Sequence, residues 1–421
     1  MKVKSYVKDK TVSEFKIHPK HTTHSGGKGE FLHDWYPYLE GYSSEFVRSV
    51  YKNYMPGSKN ILEPFAGVGT TPLTLSLDGI DSVYCEVNPA MRRVIDVKLA
   101  VSSIVIKERE FLYNEIVKLS EDIPALLHDS IKDSGLQETY KAAFKDSVFF
   151  SASVYDQVLQ FRSLNDLILS RSSLLGLLLQ VAVASQLLKC SKLKRAGDIR
   201  YKTEKELKKG IPDLVESVQK QLVLMANDCK NLPYASGVSK LIDNNAKNLM
   251  NIPKSGADGL ITSPPYLNGT NYFRNTKLEL WYMRDLADSK SLRKFRDEVV
   301  TSGINDVTKD KGNSTHAHIK DIVKSLYDNA YDKRIPKMVS GYFEEMAYVL
   351  KGAAYHLKPG SVACIDIGDS VYAGIHVPTH EILSVIANDF SFNTLDIVKL
   401  RDRRSKDKSL LSQSLIVLER K

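Results

Sequence analysis

Positions 59–71 read KNILEPFAGVGTT, and this stretch predicts the fold. The mostly apolar run from Lys59 to Phe65 has the composition of a short buried strand, and the glycines after it permit a tight turn. Pro72 then begins a helical pattern, because proline is favoured in the first turn of a helix. A second strand pattern follows and ends near Glu86. The stretch therefore predicts a β–turn–α–β unit within a parallel α/β sheet.

This unit has the chemistry of a nucleoside-binding turn. Glycines let the backbone approach a ligand, and the helix that follows presents free N–H groups. The Glu86 carboxylate, at the end of the second strand, can accept hydrogen bonds from both hydroxyls of a ribose. We therefore predict a cofactor that contains adenosine. The turn has only two glycines, Gly67 and Gly69, whereas a dinucleotide fingerprint has a third, so the pattern argues against NAD.

A second motif, TSPPY at positions 262–266, follows another buried strand pattern. Proline has no N–H, so this stiff loop offers carbonyl and hydroxyl acceptors in fixed positions beside an aromatic ring. Such a loop suits a flat substrate with an exocyclic amino group. The amino hydrogens would bond to Ser263 Oγ and the Pro264 carbonyl while the Tyr266 ring stacks on the base. An ordinary proline turn closed by a tyrosine is the alternative interpretation.

Together the two motifs resemble those of the S-adenosylmethionine-dependent DNA amino-methyltransferases, the N4-cytosine and N6-adenine enzymes of restriction–modification systems. The likeness extends to positions 33–38, before the glycine turn, and to positions 366–370 near the closing strands. It covers roughly residues 25–100 and 240–421. The resemblance implies a Rossmann-like α/β methyltransferase fold, S-adenosyl-L-methionine as cofactor, and a base flipped out of double-stranded DNA as substrate.

The resemblance also implies roles for individual residues. The catalytic loop would consist of Ser263, Pro264, Pro265 and Tyr266. The residues expected at the cofactor are Lys28, Glu63, Phe65, Gly67, Gly69, Thr70, Glu86 and Asn245. Asn245 stands where the family usually has an aspartate that contacts the adenine ring. Its amide oxygen can still accept a hydrogen bond from the adenine amino group, and Asp243 is the other candidate for this contact.

The serine before Pro-Pro-Tyr favours the N4 amine of cytosine in this family. Adenine N6 is the first alternative, followed by an RNA amine and by a binding module that has lost catalysis. C5 methylation of cytosine needs a thiolate nucleophile, usually after a proline. None of the four cysteines follows a proline. Direct transfer to the amino nitrogen requires neither a covalent intermediate nor a metal, so catalysis would be positioning and electrostatics.

Residues 101–240 are predicted to form a mostly helical insertion between catalytic parts 1–100 and 241–421. The insertion is a candidate region for target recognition, and its segment 189–209 carries nine Lys/Arg against three Asp/Glu. The basic residues that we expect to contact DNA are Lys192, Lys194, Arg195, Arg200, Lys202, Arg274 and Lys277. A solvated helix face or local ion pairing is the alternative for each of them. The basic cluster between Arg401 and Lys408 has the same two interpretations.

Composition sets broader limits. The 421 residues carry 59 Lys+Arg and 50 Asp+Glu, a net charge of +9, which fits a polyanionic partner without identifying one. A hydrophobic content of 43% excludes collagen-like and wholly disordered classes. The four cysteines form no C-x-x-C pair, and the histidines at positions 18, 21, 24 and 33 fit no common zinc spacing. With no secretory signal or membrane span recognised, we expect a cytoplasmic protein that binds no metal and no membrane. Its expected partners are double-stranded DNA and, as a further candidate, a cognate restriction endonuclease.

Overall fold

The computed structural model describes residues 16–38, 41–268, 271–404 and 409–421. In these ranges a seven-stranded sheet is accompanied by two small two-stranded sheets. The strands are β1 (Asn60–Glu63), β2 (Asp81–Cys85), β3 (Leu193–Ala196), β4 (Asp198–Tyr201), β5 (Ser239–Asp243), β6 (Ala257–Thr262), β7 (Leu357–Gly368), β8 (Ser370–Tyr372), β9 (Ile375–Val377), β10 (Phe392–Arg404) and β11 (Leu410–Arg420).

The large sheet has the strand order β10-β11-β7-β6-β1-β2-β5. Neighbours from β7 to β5 are parallel, whereas β11 is antiparallel to both β7 and β10. The chain builds outward from β1 through β2 to β5 and then returns to β6 on the other side of β1. In open α/β sheets, ligands bind at the carboxyl ends of the strands where the order reverses in this way. The predicted Rossmann-like methyltransferase fold is confirmed, and its expected ligand site lies between the ends of β1 and β6.

The helices occupy the connections between the strands, and short 3-10 turns form the N-terminal segment. Among the described residues, none of the helices is both long enough and apolar enough to cross a membrane. The helices are α1 (Ser44–Tyr54), α2 (Thr70–Leu77), α3 (Pro89–Ser102), α4 (Ile106–His128), α5 (Ser134–Phe144), α6 (Ala152–Arg171), α7 (Ser173–Leu187), α8 (Glu204–Leu207), α9 (Leu214–Asn231), α10 (Tyr272–Asn275), α11 (Lys277–Tyr282), α12 (Ser289–Glu298), α13 (Lys320–Asn329), α14 (Arg334–His356) and α15 (Thr379–Asn388).

Strand β1 is buried on both faces of the sheet. Ile61 packs in an apolar cluster with Phe46 of α1, whereas its neighbour Leu62 packs in another cluster with Phe343 of α14. Successive side chains of a strand point to opposite faces, so a strand covered on both sides needs consecutive apolar residues. This is why the continuous run in the sequence, rather than an alternating one, marks the central strand.

The turn after β1 needs both of its glycines. Gly67 and Gly69 have φ angles of +57° and +85°, which side chains other than glycine rarely adopt. The turn is closed by the amide of Gly69, which donates to the carbonyl of Ala66 at 2.8 Å. A Cβ at Gly69 would also lie 2.9 Å from the side chain of Ile95 in α3. The glycines therefore allow the loop to turn sharply while it packs against the next helix.

The insertion is mostly helical, as predicted, but its basic run is not a helix face. Segment 193–201 forms the antiparallel hairpin β3–β4. The insertion also shares a core with the rest of the chain, since one apolar cluster contains Leu179 of α7, Trp281 of α11 and Trp35 of the N-terminal segment. It is therefore packed onto the catalytic parts, while the predicted limits of the three segments stay a prediction.

Candidate active site

One cavity lies at the carboxyl ends of β1 and β6. Both sequence motifs contribute to its wall, although they are far apart along the chain, and β2 contributes through the residue that follows it. The wall includes these residues from the predicted sets: Phe65, Gly67, Thr70, Glu86, Arg195, Asn245, Ser263, Pro264, Pro265 and Tyr266. The tertiary fold thus brings the predicted cofactor turn and the predicted catalytic loop to a single site.

Glu86 is held against the glycine turn. Its two carboxylate oxygens accept hydrogen bonds from the backbone amides of Gly67 at 2.7 Å and Asn88 at 2.8 Å. Burial raises the pKa of this carboxyl to about 7, against the lowering effect of those amides and of Arg92. Each carboxylate oxygen has capacity for a further hydrogen bond, so Glu86 can serve a ligand hydroxyl without releasing the turn.

Glu63 lies behind this wall rather than in it. Its carboxylate accepts hydrogen bonds from the amide of Phe65 at 3.0 Å, the hydroxyl of Tyr42 at 2.8 Å, and the hydroxyl of Thr262. Burial raises the pKa of Glu63 to about 7. The side chain therefore ties the end of β1 to the end of β6, which orients both functional loops. Gly69, packed against α3, likewise lies outside the cavity wall.

Of the two candidates for the adenine contact, the cavity wall contains Asn245. The Asn245 amide nitrogen donates to the carbonyl of Glu298 at 2.9 Å, and its oxygen accepts from the amide of Lys247 at 3.0 Å. Asp243 instead accepts a hydrogen bond from the backbone amide of Asn245 at 2.7 Å. In this arrangement Asp243 shapes the turn that presents Asn245 to the cavity.

The loop of Ser263, Pro264, Pro265 and Tyr266, predicted to be catalytic, is anchored through its tyrosine. The hydroxyl of Tyr266 donates to Oδ2 of Asp366 at 3.0 Å, and the Ser263 hydroxyl also interacts with it. Asp366 is buried at the end of β7, and burial raises its pKa to about 6. Gln413 of β11 donates to both oxygens of this carboxylate, at 2.8 and 2.9 Å. The orientation of Tyr266 therefore depends on strands that lie beyond the two motifs.

Lys28 is exposed and lies outside the cavity wall. The N-terminal segment contributes Thr22, Thr23 and Tyr38 to the wall instead. A Cβ at Gly67 would lie 3.3 Å from the Tyr38 ring, so the segment packs directly on the glycine turn. The predicted role of Lys28 at the cofactor stays a prediction.

The N-terminal histidines are packed together as side chains of this segment. His24 and His33 stack with ring centroids 3.9 Å apart, and burial lowers the pKa of His24 to about 3. In the described ranges, the group whose ligand atoms lie close enough to share a metal ion comes from elsewhere: His316, His318 and Asp389.

Arg195 is nearly buried, unlike a typical DNA-binding arginine on a surface. Its guanidinium donates to Glu279 at 3.2 Å and to the carbonyl of Pro37 at 2.8 Å, and it lines the cavity. Glu279 also accepts a hydrogen bond from the hydroxyl of Tyr36 at 2.7 Å. Arg195 therefore joins the hairpin of the insertion to the N-terminal segment and to α11.

Most of the other predicted DNA contacts have partners within the protein. Lys194 and Arg200 both pair with Glu206 at 2.8 Å, and Arg274 pairs with Asp198 at 2.7 Å. Lys202 donates to the carbonyls of residues 189 and 191, at 3.0 and 2.6 Å. The Lys277 ammonium lies 3.9 Å from the ring centroid of Phe149, and burial lowers its pKa to about 8. Lys192 is half-buried at the start of the hairpin. The local charge of this run is thus partly neutralised, and its role in DNA binding stays a prediction.

A parallel sheet in this strand order, with a glycine turn after one central strand and a Ser-Pro-Pro-Tyr loop after the next, is the arrangement that the predicted resemblance to methyltransferases implies. Both features open into one cavity at the switch point of the sheet.

Comparison with curated proteins agrees with this class. The chain is 28% identical to the type II methyltransferase M.BsoBI of Geobacillus stearothermophilus, over 91% of this chain and 83% of that protein. It is 26% identical to the type II methyltransferase M.AvaI of Nostoc sp. and of Anabaena variabilis, over 87% of this chain and 80% of each of those proteins. The predicted resemblance to the DNA methyltransferases of restriction–modification systems is confirmed.

No family model matches the chain. Among solved structures, the rRNA methyltransferase AviRa from Streptomyces viridochromogenes aligns with 91% of this chain and 87% of its own, at 8% identity and a TM-score of 0.31. The similarity of the chain to methyltransferases is supported by the two motifs and by the curated relatives.

Proposed function

We propose that this protein transfers the methyl group of S-adenosyl-L-methionine to the exocyclic N4 amine of a cytosine flipped out of double-stranded DNA, at a specific sequence. The observation that carries the proposal is the shared cavity, which the glycine turn, Glu86 and the Ser263–Tyr266 loop line together. The similarity to type II methyltransferases supports DNA as the substrate. It also supports a restriction endonuclease that acts on the same site as a candidate partner.

The residues present fit the cofactor. Bound S-adenosylmethionine supplies an electrophilic methyl group on a sulfonium. Glu86 would accept hydrogen bonds from the ribose hydroxyls, because its buried carboxylate lies in the wall beside the backbone of the turn. Asn245 would bind the adenine edge, and Phe65 and Val87 offer apolar surface in the same cavity. The backbone of Gly67, which has no side chain, would face the methionine end.

The catalytic loop would bind the amine through acceptors alone. The Pro264 carbonyl and the Ser263 oxygen can each accept one hydrogen from the exocyclic amino group. Interaction of the Ser263 hydroxyl with Tyr266 leaves lone pairs of the serine oxygen for the substrate. With both hydrogens held in this way, the nitrogen would become more tetrahedral and its lone pair would be free to bond the methyl group. The S–CH3 bond would break, its electron pair would stay on the sulfur, and one of the two amino hydrogens would leave as a proton. The contribution of the loop to the rate is therefore orientation and charge stabilisation.

The target base has to leave the double helix to reach this loop, because the loop lies in a cavity. Flipping requires a few kcal/mol of unstacking free energy, which stacking on an aromatic side chain partly offsets. The Tyr266 ring lies in the cavity wall and is half-buried, so it can provide that stacking surface. Serine rather than a carboxamide or carboxylate before the two prolines supports cytosine over adenine.

The proposal is tested by expressing the protein in a host without DNA methylation and identifying the nucleosides of the digested DNA by mass. N4-methylcytosine is the expected product, and the Ser263→Ala variant is the control that should form it at least about a hundredfold more slowly. Detection of N6-methyladenine instead would show that adenine, and not cytosine, is the target base. Unmodified DNA together with methylated RNA would contradict the proposal. Sequencing the modified DNA would then identify the recognised site.

A further inference from the structure

Strand β10, which is remote in sequence from the Ser263–Tyr266 loop, contacts the ring of Tyr266. The guanidinium of Arg403, in β10, lies over the Tyr266 ring at 5.2 Å from its centroid. Its Nη2 donates a hydrogen bond to the carbonyl of Asp369 at 3.0 Å. A Cβ at Gly368 would collide with the guanidinium, so the glycine at the end of β7 makes this position possible. Arg403 is thus held in a defined position beside the Ser263–Tyr266 loop.

The hydroxyl end of the same ring is held from a different direction. The Tyr266 hydroxyl donates to Asp366, which accepts from Gln413, and the Gln413 oxygen accepts from Nε of Arg401 at 2.7 Å. Arg401 and Arg403 both line the cavity, because residues two apart on a strand share a face. The intervening Asp402 is exposed. The C-terminal hairpin β10–β11 therefore contacts the face of the ring directly and reaches its hydroxyl end through Asp366.

We propose that Arg403 is a positioning residue of the methyl transfer: stacked on one face of Tyr266, it holds the plane of the ring so that the opposite face receives the flipped base. This inference depends on the proposed function of the Ser263–Tyr266 loop. The hydrogen bond to Asp366 restrains the hydroxyl but permits the ring to turn about its long axis. A flat, delocalised guanidinium restrains that rotation, because its attraction to the ring is strongest when it lies over the face.

The test compares the Arg403→Met and Arg403→Lys variants with a matched control, Lys399→Met. Lys399 is exposed on the same strand and pairs with Asp402, so its loss removes an equal charge away from the cavity. We expect kcat of Arg403→Met to fall about tenfold or more, with the KM for DNA within about twofold of the wild-type value. Arg403→Lys should recover only part of kcat, since lysine restores the charge without the flat group. The control should behave as the wild type.

The opposite kinetic pattern would overturn the proposal. If Arg403 acted by binding a DNA phosphate, Arg403→Met would raise the KM for DNA and reduce the salt dependence of binding by about one ion, with kcat unchanged at saturating DNA. Unchanged kinetics would overturn it as well.

A second measurement does not depend on activity. Crystal structures of wild type and Arg403→Lys should show the Tyr266 ring rotated or disordered in the variant while its hydroxyl stays near Asp366. An unmoved ring would contradict the proposal even if the kinetics changed. If the wild type methylated no DNA, the proposed function would fail. The comparison of the Tyr266 ring between the two crystal structures would still show whether Arg403 holds the plane of the ring.

Discussion

Replacing Glu86 by Gln should weaken the binding of S-adenosylmethionine by about ten- to hundredfold. In the structure, the two carboxylate oxygens accept from the amides of Gly67 and Asn88 at 2.7 and 2.8 Å. A carboxamide has one oxygen, so its NH2 group would face one of these two N–H donors. For the cofactor, the substitution replaces the charged acceptor of a ribose hydroxyl by a neutral one; a hydrogen bond to a charged group contributes about 1.5–3 kcal/mol, and each 1.4 kcal/mol is a factor of about ten in affinity.

The pH dependence gives a second test of the same residue. Burial raises the pKa of Glu86 to about 7, and a ribose hydroxyl donates best to the ionised form. Affinity for the cofactor should therefore rise with pH up to about 7 and then level off, with a slope approaching tenfold per pH unit below that value. In Glu86→Gln this dependence should disappear, because an amide does not titrate.

Isothermal titration calorimetry with S-adenosylmethionine between pH 5.5 and pH 8.5 would measure both effects. Asp78→Asn is a matched control, since it makes the same carboxylate-to-amide change at a surface ion pair with Arg48. Equal affinity of Glu86→Gln and wild type across this range would refute the assignment of Glu86 to the cofactor. Loss of binding in the control as well would show that the effect is not specific to the cavity.

Four further variants test catalysis, recognition and folding. Ser263→Ala should reduce kcat by at least about a hundredfold with cofactor affinity unchanged, because it removes an acceptor for the amino group. Single-turnover methylation would measure kcat and calorimetry the cofactor affinity. A kcat close to the wild-type value would contradict the prediction. Arg195→Ala should lower the free energy of unfolding by about 3–5 kcal/mol in a denaturant titration, since it leaves the buried carboxylate of Glu279 unpaired. By contrast, Lys192→Ala should leave stability unchanged, and any effect should appear as weaker, less salt-dependent DNA binding. Gly69→Ala should lower the melting temperature and cofactor affinity together, because its φ of +85° and the nearby Ile95 leave no place for a Cβ.

The two motifs could be recognised in the sequence because each is governed by its own backbone. Glycine permits the positive φ angles of the turn at Gly67, and proline removes donors from the loop at Pro264. A strand that is covered on both faces needs a continuous apolar run, so the location of β1 could also be predicted from the sequence. These are short-range effects, and they do not depend on the conformation of the rest of the chain.

Features that the sequence did not determine share one cause. The run at 193–201 forms a hairpin, and its Arg195 reaches Glu279 and the N-terminal segment. Glu63 belongs to a cofactor motif by position, yet its carboxylate points to Thr262 and Tyr42 behind the loop. In each case a partner far away in sequence decided the direction of the side chain.

The sequence by itself determined the α/β unit, the two loops and the kind of atoms each loop presents, because glycine, proline and apolar runs restrict the chain locally. Only the tertiary structure decided that both loops open into one cavity, that Asn245 rather than Asp243 faces it, and that Arg403 lies over Tyr266. Such contacts join parts of the chain separated by more than a hundred residues. They exist only when the sheet order β7-β6-β1-β2 has aligned the carboxyl ends of its strands, since no local conformational preference can specify a distant neighbour.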